Sequence, residues 1–214
     1  MMDSLMERGN FIQVWQQQLD AELARGQSWA WPSFSPRPAT AERVTLPDGA
    51  SLTLRPAVPD DLHQMWKMHR RLSANTLYYR YLRAYQPSLA DLTQICTINE
   101  QAGRTLVATS GRFQKQIVAV AYYLKNKKQP GTAEVAFLVE DRFQGRGLGR
   151  LLLQRLIQIG RAAGLTTLEA FVHPDNGAML HLLRHSGLPF SEEVAYDLHE
   201  LRLQLVPAAA FTKL

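Results

Sequence analysis

Residues 144–150 read Gln-Gly-Arg-Gly-Leu-Gly-Arg and stand between two runs of different periodicity. A β-type run, Ala133 to Val139, precedes them, and a helix-type run, Leu151 to Ile159, follows. A strand that turns through three glycines into a helix is a device for holding an anion. Glycines let the backbone come close, consecutive N–H groups point outward, and the helix N-terminus adds partial positive charge. The expected anion is a phosphate or pyrophosphate. Spacing narrows the class. A dinucleotide fingerprint needs Gly-x-Gly-x-x-Gly, and counted from Gly145 the third required place holds Arg150. A P-loop needs a Lys followed by Ser or Thr after its second glycine, and none stands here. The pattern met is Gln/Arg-x-x-Gly-x-Gly/Ala, with Gln144, Gly147 and Gly149 in the three defined places. Taken alone, so short a run also reads as a turn that merely joins strand to helix.

The chain around the loop must decide. Its 214 residues suit one domain of ordinary size plus an appendage. With 46% hydrophobic and 20% charged residues it reads as soluble and globular. The single cysteine, Cys96, excludes an internal disulfide framework and a cysteine-based metal cluster. No apolar run reaches membrane-spanning length, and Met1 to Arg8 has no signal-peptide core, so the cytoplasm is the expected location. The net charge of +5 favours polyanions, but no basic stripe with interleaved aromatics appears, so no specific nucleic-acid partner is expected. The densest basic cluster, Lys125-Asn-Lys-Lys128, reads as a solvated hairpin tip before Pro130-Gly131.

The first 42 residues differ from the rest. Asn10 can cap a helix over about 11–25, in which Phe11, Trp15, Leu19 and Leu23 recur every fourth residue before Gly26. An arm rich in proline and aromatics follows, with Trp29, Trp31 and Phe34 as its docking residues. One amphipathic helix cannot form a core alone, so it is expected to dock on the main domain or on another subunit, as in a homodimer. A main domain is read over 43–207 and a short tail over 208–214. Within it, Val44-Thr-Leu46, a Pro47-Asp-Gly49 turn and Ser51 to Pro56 read as a first hairpin. Helices are expected after Pro59, after Ser73 and after Ser88, then strands at 105–109, 116–124 and 133–140. A long helix at 148–163 is expected to bury Leu152, Leu156, Ile159 and Ala163, followed by a strand at 167–172, a helix from Asn176 to His185 and one closing strand from Val194 to Leu205.

This order, with the glycine loop in its place, resembles the GCN5-related N-acetyltransferase (GNAT) superfamily over roughly residues 43–205. The resemblance implies an α/β (α+β) fold, a mixed but mostly antiparallel central sheet of six to seven strands flanked by helices, here with an N-terminal helical extension. It also implies acetyl-CoA as co-substrate. Its pyrophosphate would lie on backbone N–H groups of Gly145, Arg146, Gly147, Leu148, Gly149 and Arg150, with the two arginine side chains adding charge. Its pantetheine arm would pair with the strand before the loop at Phe137, Leu138 and Val139. The family also commonly contacts the cofactor arm through an asparagine where this chain has Asn176. Leu183 stands where many members carry a tyrosine acid.

Glu134 is the expected catalytic residue. A carboxylate within a strand otherwise made of Ala, Val, Phe and Leu is out of keeping with a simple core. Ala133-Glu-Val-Ala-Phe137 is similar to the segment that supplies the general base in histone-type members. A lysine amine has a pKa of roughly 10.4, so transfer at neutral pH needs a base, and burial would raise a carboxyl toward that task. The competing reading is an exposed charge at a strand start. Glu140, at the loop edge, reads as solvent-facing or as a helix N-terminal partner. His181 and His185 have the spacing of a helical metal pair, but no third ligand is suggested, and no metal is expected. With Ser73 to Leu82, these motifs look like the catalytic domain of bacterial protein lysine acetyltransferases. Three functions stay open: acetylation of a protein lysine, acetylation of a small amine, and a silent acyl-CoA-binding module.

Overall fold

The computed structural model describes residues 41–111 and 116–205. The expected helix over 11–25, the docking residues Trp29, Trp31 and Phe34, and the tail at 208–214 lie outside the described residues.

Among the described residues eight strands form one sheet: β1 (Glu42–Thr45), β2 (Ser51–Pro56), β3 (Gly103–Ser110), β4 (Gln116–Lys125), β5 (Thr132–Val139), β6 (Thr167–Val172), β7 (Phe190–Ala195) and β8 (Leu198–Gln204). Their order is β1-β2-β3-β4-β5-β6-β8-β7, and every neighbouring pair is antiparallel except β5 with β6. Among the described residues five α-helices accompany them: α1 (Leu62–His69), α2 (Ala74–Tyr81), α3 (Leu89–Cys96), α4 (Leu148–Ala162) and α5 (Gly177–Arg184). Ser73 and Ser88 start α2 and α3 as the sequence predicts, each side chain accepting from the backbone N–H three residues on.

Alternation along the strands divides the sheet into two faces. One carries Leu106, Ala108, Ala119, Ala121, Tyr123, Val135 and Leu168 and packs against Leu148, Leu152, Leu153 and Leu156 of α4 and Leu180 and Leu183 of α5. The helix stripe is rotated from the expected one: Leu152 and Leu156 are buried as predicted, but Leu153, Ile157 and Gly160 complete the face and Ala163 is exposed. The other face carries Val107, Val120, Tyr122 and Leu138, with α1 packed on β4 and α2 on β5.

The strand count is eight because the closing segment is a hairpin. Residues 190–195 pair with 198–204 across a two-residue turn, Tyr196-Asp197, both at positive φ (52° and 59°). This is type I′ geometry without its usual Asn-Gly, so the turn carried no sequence signal. No helix among the described residues is long and apolar enough to cross a membrane.

Candidate active site

The parallel pair β5/β6 joins at only three positions, ending at Glu134 opposite Glu169. Beyond it, β5 continues through Phe137, Leu138 and Val139 with no β6 partner, so the two strands part and leave one edge of β5 open. At the end of that edge the chain enters the glycine loop. Gly145 and Gly147 lie at φ +69° and +85°, a left-handed backbone that costs side-chain-bearing residues most, and Gly147 starts α4. Gly149 is already helical; a Cβ there would meet Leu182 at 3.4 Å. The bond from Leu151 N–H to the Gly147 carbonyl opens α4, so the N–H groups of Leu148, Gly149 and Arg150 have no helical acceptor. The Leu148 side chain is buried and anchors this turn from below. Backbone donors at a helix start, beside an open strand edge, fit a pyrophosphate followed by an extended amide-containing arm.

The side chains of the loop do less than the sequence implied. Gln144 donates through Nε2 to the Val139 carbonyl (2.9 Å) and to Thr76 Oγ1 (3.1 Å), which staples the loop to β5 and α2. Arg146 is paired with Asp48 in the β1–β2 turn and stacks on Phe143, so its charge is already partly met. Arg150 is exposed. Asn176 caps α5, its Oδ1 accepting from Met179 N–H at 3.2 Å. Leu183 is fully buried in the core, so no tyrosine acid acts from that place.

Glu134 keeps a partly exposed edge, yet burial pushes its carboxyl up to about 7, against the pull of the Arg80 cation and with a further push from Glu169. No hydrogen bond or ion pair engages it among the described residues. Glu169, 6% exposed, pairs with Arg202 at 3.2 Å. Arg80 donates to the Tyr122 hydroxyl and lies over the Tyr81 and Tyr122 rings at 5.1 and 5.2 Å. The sequence reading did not single out Glu169, Arg80 or Tyr122. Glu169 carried the same signal as Glu134, an acid inside an apolar strand. The other two depended on where α2 docks.

The expectation for Glu140 is corrected. It is 4% exposed and held by Arg71 (2.9 Å) and Arg142 (2.7 Å), because the loop folds back over the end of β4. Burial pushes the Cys96 thiol up to about 12, which removes it as a nucleophile. His181 and His185 stack ring on ring at 4.0 Å, and no group of three or more metal-ligating side chains is placed to hold an ion among the described residues.

The profile of the acetyltransferase (GNAT) family matches residues 65–188, more than half of the 214. The chain belongs to this family. The GNAT fold and the family's acetyl donor, acetyl-CoA, are therefore as the sequence implied. Among relatives of this GNAT chain, acetyltransferase Pat of Mycolicibacterium smegmatis is 29% identical over 150 residues, covering 70% of this chain and 45% of that protein. The chain thus spans less than half the length of that relative. A crystal structure of the GNAT domain of S. lividans PAT superposes with a TM-score of 0.71 at 26% identity, covering 77% of this chain and 96% of that one. An L-methionine sulfoximine/L-methionine sulfone acetyltransferase of Pseudomonas aeruginosa is 39% identical over 64 residues, 30% of this chain and 37% of that protein.

Proposed function

We propose that this GNAT chain is an acetyl-CoA-dependent N-acetyltransferase that acts on a primary amine of a protein lysine, with Glu134 as general base. The observation that carries the reading is Glu134 itself: a carboxyl raised to about 7, at the point where β5 and β6 part, with no hydrogen bond or ion pair to it among the described residues. A lysine reaches the site mostly as ammonium at neutral pH, and only the neutral amine attacks a thioester. A carboxyl near pKa 7 is about half ionised there; taking the ammonium proton still runs uphill by about 5 kcal/mol, against about 8 kcal/mol for an ordinary carboxyl. Acetyl-CoA, when bound, supplies the activated acetyl thioester. The backbone N–H groups of Leu148, Gly149 and Arg150 hold its pyrophosphate, and the open edge of β5 at Phe137, Leu138 and Val139 orients its arm. Nitrogen bonds to the acetyl carbon, the carbon–sulfur bond breaks, and the amine proton passes through Glu134 to water. A thiol with an ordinary pKa of roughly 8.5 leaves without an obligatory acid, which fits a leucine at position 183.

The protein-lysine acceptor is supported by the Ser73 to Leu82 segment and by the likeness to the S. lividans PAT domain. A small amino-acid acceptor is the second reading, favoured by the 64-residue likeness to the methionine sulfoximine enzyme. Thiol release from acetyl-CoA, with lysine-bearing proteins and amino acids offered in parallel, separates the two. Acetyl-lysine found by mass spectrometry supports the first. Turnover with free amino acids alone rejects it, and no turnover with any amine rejects both.

A further inference from the structure

Arg80 is an odd residue for the middle of an aromatic patch. It sits in the last turn of α2, half-buried, and makes no ion pair among the described residues. Its guanidinium is spent on the hydroxyl and ring of Tyr122 and on the ring of Tyr81. Tyr122 is buried, and the β4/β5 register puts it opposite Ala136, on the same sheet face as Glu134 and two residues along. The register beyond puts Glu169 beside Glu134, and Arg202 beside Glu169. Charges from several elements therefore share one face, among them Arg80 from α2, Glu134 from β5, Glu169 from β6, Arg202 and Glu200 from β8 and Glu193 from β7. Arg202 pairs with Glu169 directly and also with Glu200. Arg80 does not pair with Glu134.

That asymmetry has a chemical consequence. An arginine bonded directly to Glu134 would occupy the oxygens that an incoming amine needs and would depress its basicity. With no cation nearby, a carboxyl beside another buried carboxylate would stay protonated at neutral pH. We propose that Arg80 is the positioning residue of this site, a fixed cation tethered to Tyr122 that keeps Glu134 ionisable as a base while leaving its oxygens open. The inference rests on the reading of Glu134 as the base. The direction of each influence agrees with the geometry: Arg80 pulls the Glu134 carboxyl down and Glu169 pushes it up.

The test is a titration of Glu134 in the full chain. Glutamate carrying 13C at Cδ reports each carboxyl by NMR, and the Glu134 signal is the one lost in Glu134→Gln. In Arg80→Gln the Glu134 midpoint should rise by about one pH unit or more, the usual reach of one nearby charge. Arg80→Lys, which keeps a cation, should return it most of the way. Arg80→Met, which keeps the apolar stem between the two rings, serves if the glutamine variant does not fold. An arginine that only supports the fold would lower the melting temperature and leave the midpoint where it was. That result overturns the proposal. Thiol release in Glu134→Gln tests the underlying reading separately. Lost turnover there with an unmoved midpoint in Arg80→Gln rejects Arg80 alone. Near-normal turnover in Glu134→Gln rejects the base, and Arg80's role falls with it.

Discussion

Glu134, half-buried, and His69, fully buried, are titratable groups whose effects on stability oppose each other across almost the same pH range. The Glu134 carboxyl rises to about 7, so the folded protein holds a proton that the unfolded chain has released between about pH 4.5 and 7. Its stabilising contribution is full below pH 4.5 and is lost as pH climbs through 7. His69 is 1% exposed, and burial lowers it to about 4; its ring lies between the Met65 carbonyl (2.9 Å) and the Tyr81 hydroxyl (3.2 Å). There the unfolded chain binds the extra proton, so stability is full above about pH 6.5 and falls as pH drops toward 4. Each is worth at most about 3 kcal/mol, at 1.36 kcal/mol per unit of pKa. The parent's profile should therefore be flat between pH 4.5 and 6.5, and single variants should tilt it. Glu134→Gln should be more stable than the parent at pH 8 and nearly equal to it at pH 4.5, by urea unfolding. His69→Gln should gain stability on acidification from pH 7 to 4.5, where the parent stays nearly level. An equal offset at both pH values would refute either assignment. Glu134 was legible in the sequence because one acid interrupted an apolar strand. His69 shares helical spacing with Leu62, Met65 and Trp66, which puts it on the apolar face in the sequence; its Tyr81 partner on the next helix was not legible.

At the scale of elements, the glycine loop and the closing hairpin mark the limits of what local pattern reveals. Glycines at 145 and 147 announce positive φ, and the structure has it at both. Gly149 looks the same in sequence but is helical, and a Cβ there would make only an ordinary 3.4 Å contact with Leu182. Gly149→Ala should therefore keep the fold. Better helix propensity should add up to about 1 kcal/mol. The loop pattern admits Ala at this place, so acetyl-CoA should raise the thermal midpoint of Gly149→Ala as it does the parent's, whereas Gly147→Val, a branched side chain at φ +85°, should lose that rise. An undiminished rise in Gly147→Val would show that the cofactor does not approach this turn. The Tyr196-Asp197 turn is the opposite case: geometry that glycine or asparagine normally supplies is held by two residues that pay for positive φ. The tertiary register of β7 on β8 selects it, and no local reading could have found it. Asp197→Gly should stabilise the protein by about 0.5–1 kcal/mol with unchanged turnover. Destabilisation would mean that the Asp197 side chain holds the turn.

At the scale of the whole molecule, the glycine loop and the helix that carries Arg80 meet at one carboxylate. Asp141, between β5 and the glycine loop, accepts from Ser73 Oγ (2.6 Å), Ser73 N–H (3.0 Å) and Thr76 Oγ1 (2.9 Å) at the start of α2. Burial pushes this carboxyl up, but those three bonds together outweigh it and hold its pKa below the ordinary value. Thr76 also accepts from Gln144, whose same Nε2 bonds the Val139 carbonyl. The helix that carries Arg80 is thus tied to the loop assigned to the pyrophosphate by a short, unbroken chain of hydrogen bonds. Sequence alone linked Ser73 and Gln144 only through a family resemblance, because contacts about 70 residues apart have no local signal. Asp141→Ala should loosen both sides at once. The expected result is a weaker acetyl-CoA-induced rise in thermal midpoint together with a fall in kcat/KM for the amine of about 10-fold, the worth of one or two charge-assisted bonds. Thr76→Val should reproduce part of both effects, and the double variant should be little worse than Asp141→Ala, since the two groups act through one bond. Fully additive losses, or an acetyl-CoA shift equal to the parent's, would show that the helix and the loop are set independently.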